Sequence, residues 1–429
     1  MIRSKTIRRA ATRTAVGAAM VFGSAACSDK FLAVTNPNVI DAATVDPTSG
    51  AAALAASAQQ NFTTALGWLS MYSGWFTGEA NISDTFPTRN EFGFRTISDL
   101  NGSLNADVWS PISLATASAK TVLDLTLPTP TTNINLARAA TFRGYSILLM
   151  AGDFCTGALS SGPELTTAQL LDSASFWFTK GIDVGKANAS TDGIALANAA
   201  LVGRARAKLQ KGDAAGALAD ASAVPAGFVY NLNYTDDVGN RTRLSNRLYQ
   251  FTFDRSSISV APAFRTTDPR VPFRAPAGVT AAGSAGVSTL SGQDAVPGGF
   301  FQQIKFNAYN ASIRLASKLE ADYIAAEASK DATQQLALIN ARRAANNQPT
   351  YAGATDAASV MTELFNQRGF EFYLEGKRLA DYRRSPASTS FVTPAGQPYF
   401  KPGYANTGTQ TCYPIPRAER DNNPNFPKG

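Results

Sequence analysis

The chain has 429 residues, of which 44% are hydrophobic, enough for a large core and for two ordinary domains. Its formal charge of +7 and pI near 9.3 would suit a nucleic-acid-binding protein. The first 26 residues, however, contain no acid and hold five basic residues, namely Arg3, Lys5, Arg8, Arg9 and Arg13. Removing these five from the 39 leaves 34 basic residues against 32 acidic ones, a net charge of +2. No nucleic-acid partner is therefore expected.

Residues 1–26 are predicted to be a lipoprotein signal peptide. An apolar run, Ala15–Phe22, follows the basic start and is too short to remain as a membrane-spanning helix. Small residues then precede Cys27, as in a lipobox, where the cysteine is acylated and becomes the mature N-terminus; Ser24 stands where a leucine is usual. Ordinary cleavage that leaves Cys27 unmodified is the alternative. The expected product, residues 27–429, is a single domain held to a membrane by lipid.

Two further cysteines, Cys155 and Cys412, are expected to form a disulfide, because an exported protein meets an oxidising compartment. Two isolated buried thiols are the alternative. The chain contains no histidine, so neither a metal site nor a cofactor is expected.

The first predicted helix begins after Asp46 and runs toward Leu69. Its aromatic stripe continues through Trp68, Tyr72, Trp75 and Phe76, which is more often core than ligand platform. Residues 77–104 have no clear period and are predicted to be a long irregular loop. Later periodic segments predict helices over Trp109–Asp124, Leu136–Met150, Leu171–Ala187, Ala195–Gln210, Ala214–Val224, Ser312–Ala328, Ala332–Ala345 and Ala357–Arg384.

Several of these helices pair as hairpins. Ala205, Ala217 and Val224 are small or apolar at offsets close to the tetratricopeptide spacing of helix contacts. Between residues 228 and 303 the helical period disappears, and alternation at Tyr230–Tyr234 and Phe251–Phe253 predicts short strands. Residues 275–299 are predicted to be a flexible surface loop. The expected fold is mainly α, with tetratricopeptide-like hairpins and an inserted loop and short-strand region.

The stretch Glu363–Arg384 is predicted to be one helix with charges on a single face: Arg368, Glu371, Glu375, Arg378 and, further on, Asp381. Two neighbouring glutamates could serve a glycoside hydrolase, but such pairs flank the scissile bond from two sides, whereas these point the same way. Arg368 and Arg378 are their expected partners. We therefore interpret the face as a buried structural charge network and expect no enzymatic activity from it.

The same residues resemble the C-terminal signature of SusD/RagB-type outer-membrane nutrient-binding lipoproteins. The matching positions are Arg368, Glu371-Phe372, Glu375-Gly376, Arg378, Asp381 and Arg384, with Gln367 replacing a usual glutamate. A second block, Tyr413-Pro-Ile-Pro416 with Glu419 and Asn423-Pro-Asn425, resembles the closing motif of the family. Cys27-Ser-Asp-Lys-Phe-Leu32 with Asn36-Pro-Asn38 resembles its start. The three blocks follow one another over nearly the whole mature chain.

The resemblance implies a lipid-anchored protein of the outer membrane, facing the cell exterior. It would capture a nutrient, most commonly an oligosaccharide, and pass it to a TonB-dependent outer-membrane transporter. A protein-interaction scaffold is the first alternative, since tetratricopeptide arrays usually bind peptides or proteins. A carboxylate-dependent surface glycoside hydrolase is the second; the chain has no histidine and no Gly-x-Ser-x-Gly motif.

Two irregular regions, approximately residues 70–105 and 228–305, are the candidate ligand-binding parts. The first combines Trp75 and Phe76 with Asn81, Asp84 and Arg89, which offers a stacking face beside hydroxyl-binding groups. The resemblance also favours this loop. Burial of Trp75 and Phe76 in the core is the alternative. The site would then move to the second region, to Tyr230, Tyr234 and Tyr249.

Overall fold

Helices carry most of the computed structural model, which describes residues 47–427. The α-helices are α1 (Pro47–Phe76), α2 (Pro87–Gly93), α3 (Ser110–Leu123), α4 (Ile134–Asp153), α5 (Thr167–Asn188), α6 (Thr191–Lys211), α7 (Ala214–Ser222), α8 (Arg241–Leu244), α9 (Arg247–Tyr249), α10 (Lys318–Ser329), α11 (Ala332–Ala345), α12 (Ala357–Glu371), α13 (Arg378–Arg384) and α14 (Arg417–Asn422). A first π-helix (Leu104–Trp109) precedes α3 and a second (Gln250–Asp254) follows α9. Within the described residues, no helix is long and apolar enough to cross a membrane.

The strands are short and lie mostly in the middle of the chain. They are β1 (Ala80–Ile82), β2 (Thr156–Gly157), β3 (Leu165–Thr166), β4 (Val229–Leu232), β5 (Ile258–Val260), β6 (Phe273–Ala275), β7 (Ser284–Val287), β8 (Gln302–Gln303) and β9 (Ile313–Ser317). Five of them form one sheet in the order β1-β5-β8-β6-β7, while β2–β3 and β4–β9 form antiparallel pairs. Among the named strands of residues 47–427, only β6 and β7 pair in parallel.

Local sequence signals explain where the helices begin and end. Thr166 and Gln169 form a reciprocal capping box at the start of α5. Ser190 and Asp331 accept backbone N–H groups at the first turns of α6 and α11. Gly212 ends α6 in the left-handed region, at φ 89°, and makes the tight turn into α7.

The consecutive helices α4 to α7 pack as hairpins with closely approaching backbones. The ring of Phe178 on α5 lies against Gly144 of α4 and Gly203 of α6, where an added Cβ would come within 2.7 Å and 2.4 Å of it. Ala205 and Ala217 are fully buried at the contact between α6 and α7. The prediction of a mainly α fold with tetratricopeptide-like hairpins is confirmed.

The stretch Glu363–Arg384 is not one helix, so that prediction was wrong. Helix α12 ends at Glu371 and α13 begins at Arg378. Between them Leu374 and Gly376 adopt positive φ angles of 54° and 69°. The N–H group of Leu374 is satisfied by the carboxylate of Glu79, at 3.1 Å. The spacing of charged residues could not predict that the helix is interrupted, because the interruption depends on contacts with distant segments.

The break changes the partners of the two glutamates. Glu375 contacts Lys305 and Arg314 at 3.0 Å and Lys377 at 3.1 Å, and Glu371 contacts Arg342 at 3.0 Å. Further contacts of Glu371 are longer, at 3.5 Å to Arg270 and 3.7 Å to Arg314. Apart from Lys377, which lies in the same turn as Glu375, these cations come from other elements of the fold.

Arg368 and Arg378, the expected partners, bind elsewhere. Arg368 pairs with Asp381 at 2.6 Å, and Arg378 donates to the carbonyl of Ser388 at 3.0 Å. All five residues of the predicted charge network are less than 10% exposed. This buried network ties α12 and α13 to α10, α11 and the segment around Lys305.

Residues 77–104 were predicted to be an irregular loop but contain β1 and α2, and the predicted surface loop 275–299 contains β7. Two further sequence interpretations also differ from the structure. Ser312–Ala328 was predicted to be helical throughout, but β9 occupies its start and pairs with β4. Phe251 and Phe253 were predicted to alternate on a strand, but they lie on the second π-helix. In both cases the segment is so short that the spacing of its apolar residues fits a helix as well as a strand.

Candidate functional site

The two irregular regions that the sequence offered as alternatives meet in the folded chain. Strand β1 pairs with β5, with Ala80 opposite Val260 and Ile82 opposite Ile258. The N–H group of Ser83 extends this contact to the carbonyl of Ser257. Both regions therefore contribute to one surface beside the end of α1.

Trp75 and Phe76 do not contribute to that surface. Each is 2% exposed, and Trp75 packs against Tyr72 while Phe76 packs against Tyr413. An enclosed ring cannot stack on a sugar, so the prediction that they form a stacking face was wrong. The aromatic stripe at helical spacing is core, as its alternative interpretation stated.

The three predicted polar residues, Asn81, Asp84 and Arg89, have different surroundings. The Asp84 carboxylate is buried, accepts the N–H of Phe86 at 3.1 Å and pairs with Arg89 at 2.8 Å. Asp84 therefore shapes its loop. Asn81 is half-buried on β1 and lines, with Trp75, a cavity of about 90 Å³. Of the predicted set, only Arg89 is positioned to reach an exposed aromatic surface.

Phe86, which the sequence analysis did not select, is the most prominent ring in this region, with 51% of its surface exposed. It immediately precedes Pro87, which starts α2. The Arg89 guanidinium lies 4.4 Å from the centre of the Phe86 ring and 4.9 Å from that of Phe251. A lone aromatic before a proline in a polar stretch was the only sequence signal for it.

The second region supplies the opposite wall. Phe251 on the second π-helix is 3% exposed, so it supports this wall from beneath; it packs edge-on against Trp68 of α1, with ring centres 5.3 Å apart. Arg247 lies 4.5 Å over the Trp68 ring, and Arg255 lies 5.4 Å over Phe251. We call Trp68, Phe86, Arg89, Arg247, Phe251 and Arg255 the aromatic–arginine patch. π-Helical turns often occur at functional sites, because they displace side chains from the regular helical register.

Asp107, on the first π-helix, interacts electrostatically with three arginines of the patch. It accepts the phenolic O–H of Tyr72 at 2.5 Å. Burial raises the pKa of Asp107, while this hydrogen bond and the charges of Arg89, Arg247 and Arg255 oppose the rise. Burial likewise lowers the pKa of Arg247, against the attraction of Asp107. One carboxylate is thus shared among several guanidinium groups.

A groove of about 640 Å³ adjoins the patch between α1, α3 and α8. Its polar lining consists of Ser57, Gln60, Asn61, Thr64, Ser110 and Arg243. Thr64 lies one turn before Trp68 on α1, and the Arg247 guanidinium donates to the carbonyl of Arg243 at 3.0 Å. The groove therefore continues the patch. Its volume is in the range of small-ligand sites, and its hydroxyl and amide groups suit sugar hydroxyls.

The three tyrosines that were the alternative site residues, all in the second region, differ in burial and in position. Tyr234 is 8% exposed and its hydroxyl donates to the carbonyl of Thr63. Tyr249 is half-buried, stacked on Phe253 with ring centres 4.4 Å apart, and meets Tyr309 edge-on. Tyr230 is half-buried on β4. Only Tyr249 lies beside the second π-helix and so near the patch.

The two cysteines of the described region are joined. Cys155 and Cys412 form a disulfide with Cα atoms 5.1 Å apart. Backbone hydrogen bonds flank it, from Cys155 to Tyr413 at 2.9 Å and from Tyr413 to Asp153 at 2.8 Å. Cys27, the predicted lipidation site, lies outside the described residues, as does the predicted signal peptide.

Comparison with known proteins agrees with this architecture. Residues 314–428 match the model of the SusD family. A SusD superfamily protein from Parabacteroides distasonis superimposes with a TM-score of 0.65 at 15% identity, covering 90% of this chain and 99% of its own. One from Bacteroides fragilis gives 0.63 at 13% identity, covering 90% and 100%.

A third similar structure is a SusD-like carbohydrate binding protein from Bacteroides vulgatus. It gives a TM-score of 0.60 at 14% identity, covering 79% of this chain and 83% of its own. A search of curated protein sequences gave no match. The resemblance to SusD/RagB-type proteins, which the motifs indicated, is confirmed by the family match and by the shared fold.

Proposed function

We propose that this chain is a cell-surface binding protein that captures an oligosaccharide at the aromatic–arginine patch and the adjoining groove. The observation that carries the proposal is the exposed ring of Phe86, held beside the Arg89 guanidinium. The same patch includes Trp68, which follows the groove residue Thr64 by one turn of α1. Sugar rings present apolar faces that stack on aromatic side chains and hydroxyl groups that need polar partners. The SusD-like carbohydrate binding protein of similar fold supports this assignment.

The proposal includes no catalytic step. Glu371 and Glu375, the pair that would suit a glycoside hydrolase, are 7% and 4% exposed and engaged by cations. Burial alone would raise the pKa of Glu375, but the charges of Lys305, Lys377 and Arg314 hold it well below its usual range. A carboxylate held ionised cannot protonate a leaving group.

The resemblance to SusD/RagB-type lipoproteins also supports a proposal for where the protein is located and which protein it works with. A lipid on Cys27 would anchor the protein at the outer membrane facing the exterior, and a TonB-dependent transporter would receive the captured ligand. The short, apolar and small-residue sequence before Cys27 supports the anchor.

The test combines binding and product assays on the purified mature protein. Isothermal titration against a series of plant and algal oligosaccharides should give saturable binding, and reducing ends should not increase during incubation. An increase in reducing ends would support the hydrolase alternative. Copurification with a transporter, without affinity for any oligosaccharide, would support the interaction scaffold.

A further inference from the structure

We propose that the ligand is an acidic oligosaccharide, whose carboxylate or sulfate groups bind Arg243 and Arg255 while its sugar rings occupy the patch and groove. This inference rests on the proposed function and adds a ligand class to it. The shared chemistry is an anionic group on a sugar ring, which uronic acids and sulfate esters both supply.

The arginines around the site fall into two groups, those with a direct carboxylate partner and those without one. Arg89 pairs with Asp84, and Arg241 pairs with Asp236 at 2.8 Å. In the described part of the chain, by contrast, Arg243, Arg247 and Arg255 form no ion pair, the nearest compensation being the shared charge of Asp107. An anionic ligand would supply the missing counter-charge.

Two of these guanidinium groups are also free to bind. Arg243 and Arg255 are exposed, and within residues 47–427 their side-chain N–H groups donate to no other residue. Arg247 differs, because it is 9% exposed and donates to the carbonyls of Thr242 and Arg243. Arg247 thus shapes the site, whereas Arg243 and Arg255 present donors to it.

The position of each free arginine suits a different part of a ligand. Arg243 is the only charged residue lining the groove within the described chain, and the other polar groups there are hydroxyls and amides. Arg255 lies over the Phe251 ring at the patch. A guanidinium group binds carboxylate and sulfate oxygens through paired N–H donors, a geometry that lysine cannot supply.

The positive charge is local and does not reflect the whole protein. After removal of residues 1–26 the formal net charge is only +2, from 34 basic and 32 acidic residues. General attraction of polyanions to a basic protein is therefore weak. Recognition of an acidic sugar must come from the arrangement at the site.

The experiment compares ligands that differ only in charge. Oligogalacturonides and their fully methyl-esterified forms share a backbone, and sulfated oligosaccharides with their desulfated forms make a second arm. Isothermal titration of the mature protein should give at least about tenfold weaker binding for the neutral member of the preferred pair. Affinity for the charged member should fall as NaCl is raised from 50 to 500 mM, because salt screens exposed charges.

Two variants test the assigned residues. Arg243→Gln and Arg255→Gln should each weaken binding of the charged ligand by about tenfold, and both should lose more affinity for the charged ligand than for its neutral form. Lys186→Gln is the matched control, since it removes an exposed positive charge from the last turn of α5 and should change nothing. Unchanged melting temperatures would show that the variants fold.

The outcomes separate this inference from the proposed function. Equal affinity for charged and neutral members, with no effect of either arginine variant, would overturn the acidic ligand and leave oligosaccharide binding intact. No binding of any of these ligands, with binding retained for another oligosaccharide of the series, would overturn the acidic ligand alone, and no binding of any oligosaccharide would overturn the proposed function as well. Preference for the sulfated arm over the uronate arm would support the inference and identify the anion as sulfate.

Discussion

Glu375 is the residue on which three cations from three parts of the chain converge. Its carboxylate contacts Lys305, Arg314 and Lys377 and is 4% exposed. Burying such a group is tolerable only because every charge has a partner. Burial lowers the pKa of Lys377 to about 8, against the attraction of Glu320 and Glu375. Removing one member would leave cations buried without compensation.

Glu375→Gln should therefore lower the free energy of unfolding by about 3–5 kcal/mol, measured by urea denaturation. Asp322→Asn is the control, because the Asp322 side chain is 39% exposed and its pair with Lys318 should be worth about 0–1 kcal/mol. A Glu375→Gln protein with normal stability but no ligand binding would show that this network is a binding site.

Glu79 is a second buried carboxyl group, and it titrates near neutrality. Burial raises its pKa to about 7, against the charges of Arg378 and Lys305 and the hydrogen bond from Leu374. Its folded-state pKa thus exceeds the unfolded value of 4.5. Between the two, the folded state keeps a proton that the unfolded state releases, so Glu79 lowers stability as the pH rises from 4.5 to 7.

Glu79→Gln removes this titration and keeps an oxygen that can accept the Leu374 N–H. The free energy of unfolding of the variant should rise relative to wild type by about 3 kcal/mol between pH 4.5 and pH 8. Urea denaturation at several pH values measures it. A difference between the two proteins that does not vary with pH would contradict this account of Glu79.

At the level of elements, periodicity predicted the helical hairpins well. Helix α11 has the predicted bounds, Ala332–Ala345, and α4 extends the predicted Leu136–Met150 by two and three residues. These helices have repeated apolar faces and clear caps, so local sequence determines them. The sequence did not predict the elements whose conformation depends on residues far away in the chain. Strand β9 needs β4, and the turn before α13 needs Glu79.

The same distinction applies to the site. Sequence identified both contributing regions, but it could not tell that β1 and β5 join them. It selected Trp75 and Phe76 because aromatic composition does not reveal burial. Phe86 and Phe251 become a site only through Arg89, which lies between them. Phe86 and Phe251 are about 160 residues apart, so no local sequence pattern predicts that they come together.

The disulfide connects the end of α4 with the C-terminal segment. Cys155→Ser should lower stability by about 2–5 kcal/mol, because the bridge restrains a long loop of the unfolded chain. Mass spectrometry of a non-reduced digest should recover the peptides of Cys155 and Cys412 as one linked species. Recovery of both cysteines as free thiols would contradict the bond.

At the level of the whole molecule, the proposed lipid anchor on Cys27 is tested by removing its attachment residue. Cys27→Ala should release a soluble protein into the culture medium or periplasm, since the proposed lipid is then absent. Fractionation of cells followed by immunoblotting measures this. A variant that still sediments with outer membranes in high salt would place the anchor elsewhere.

The site itself is tested most directly by the affinity of Phe86→Ala for the oligosaccharide that the wild type binds best. Phe86 is exposed and lies outside the core, so the variant should melt as the wild type does. Phe176→Ala is the matched control, because Phe176 is 63% exposed on α5 and lines neither patch nor groove. Both proteins would be titrated under identical conditions.

Loss of the stacking ring should weaken binding by about 1–3 kcal/mol in Phe86→Ala, by analogy with the stacking of bases on aromatic side chains. Phe176→Ala should bind as the wild type does. A folded Phe86→Ala protein with unchanged affinity would contradict the assignment of the aromatic–arginine patch as the ligand site.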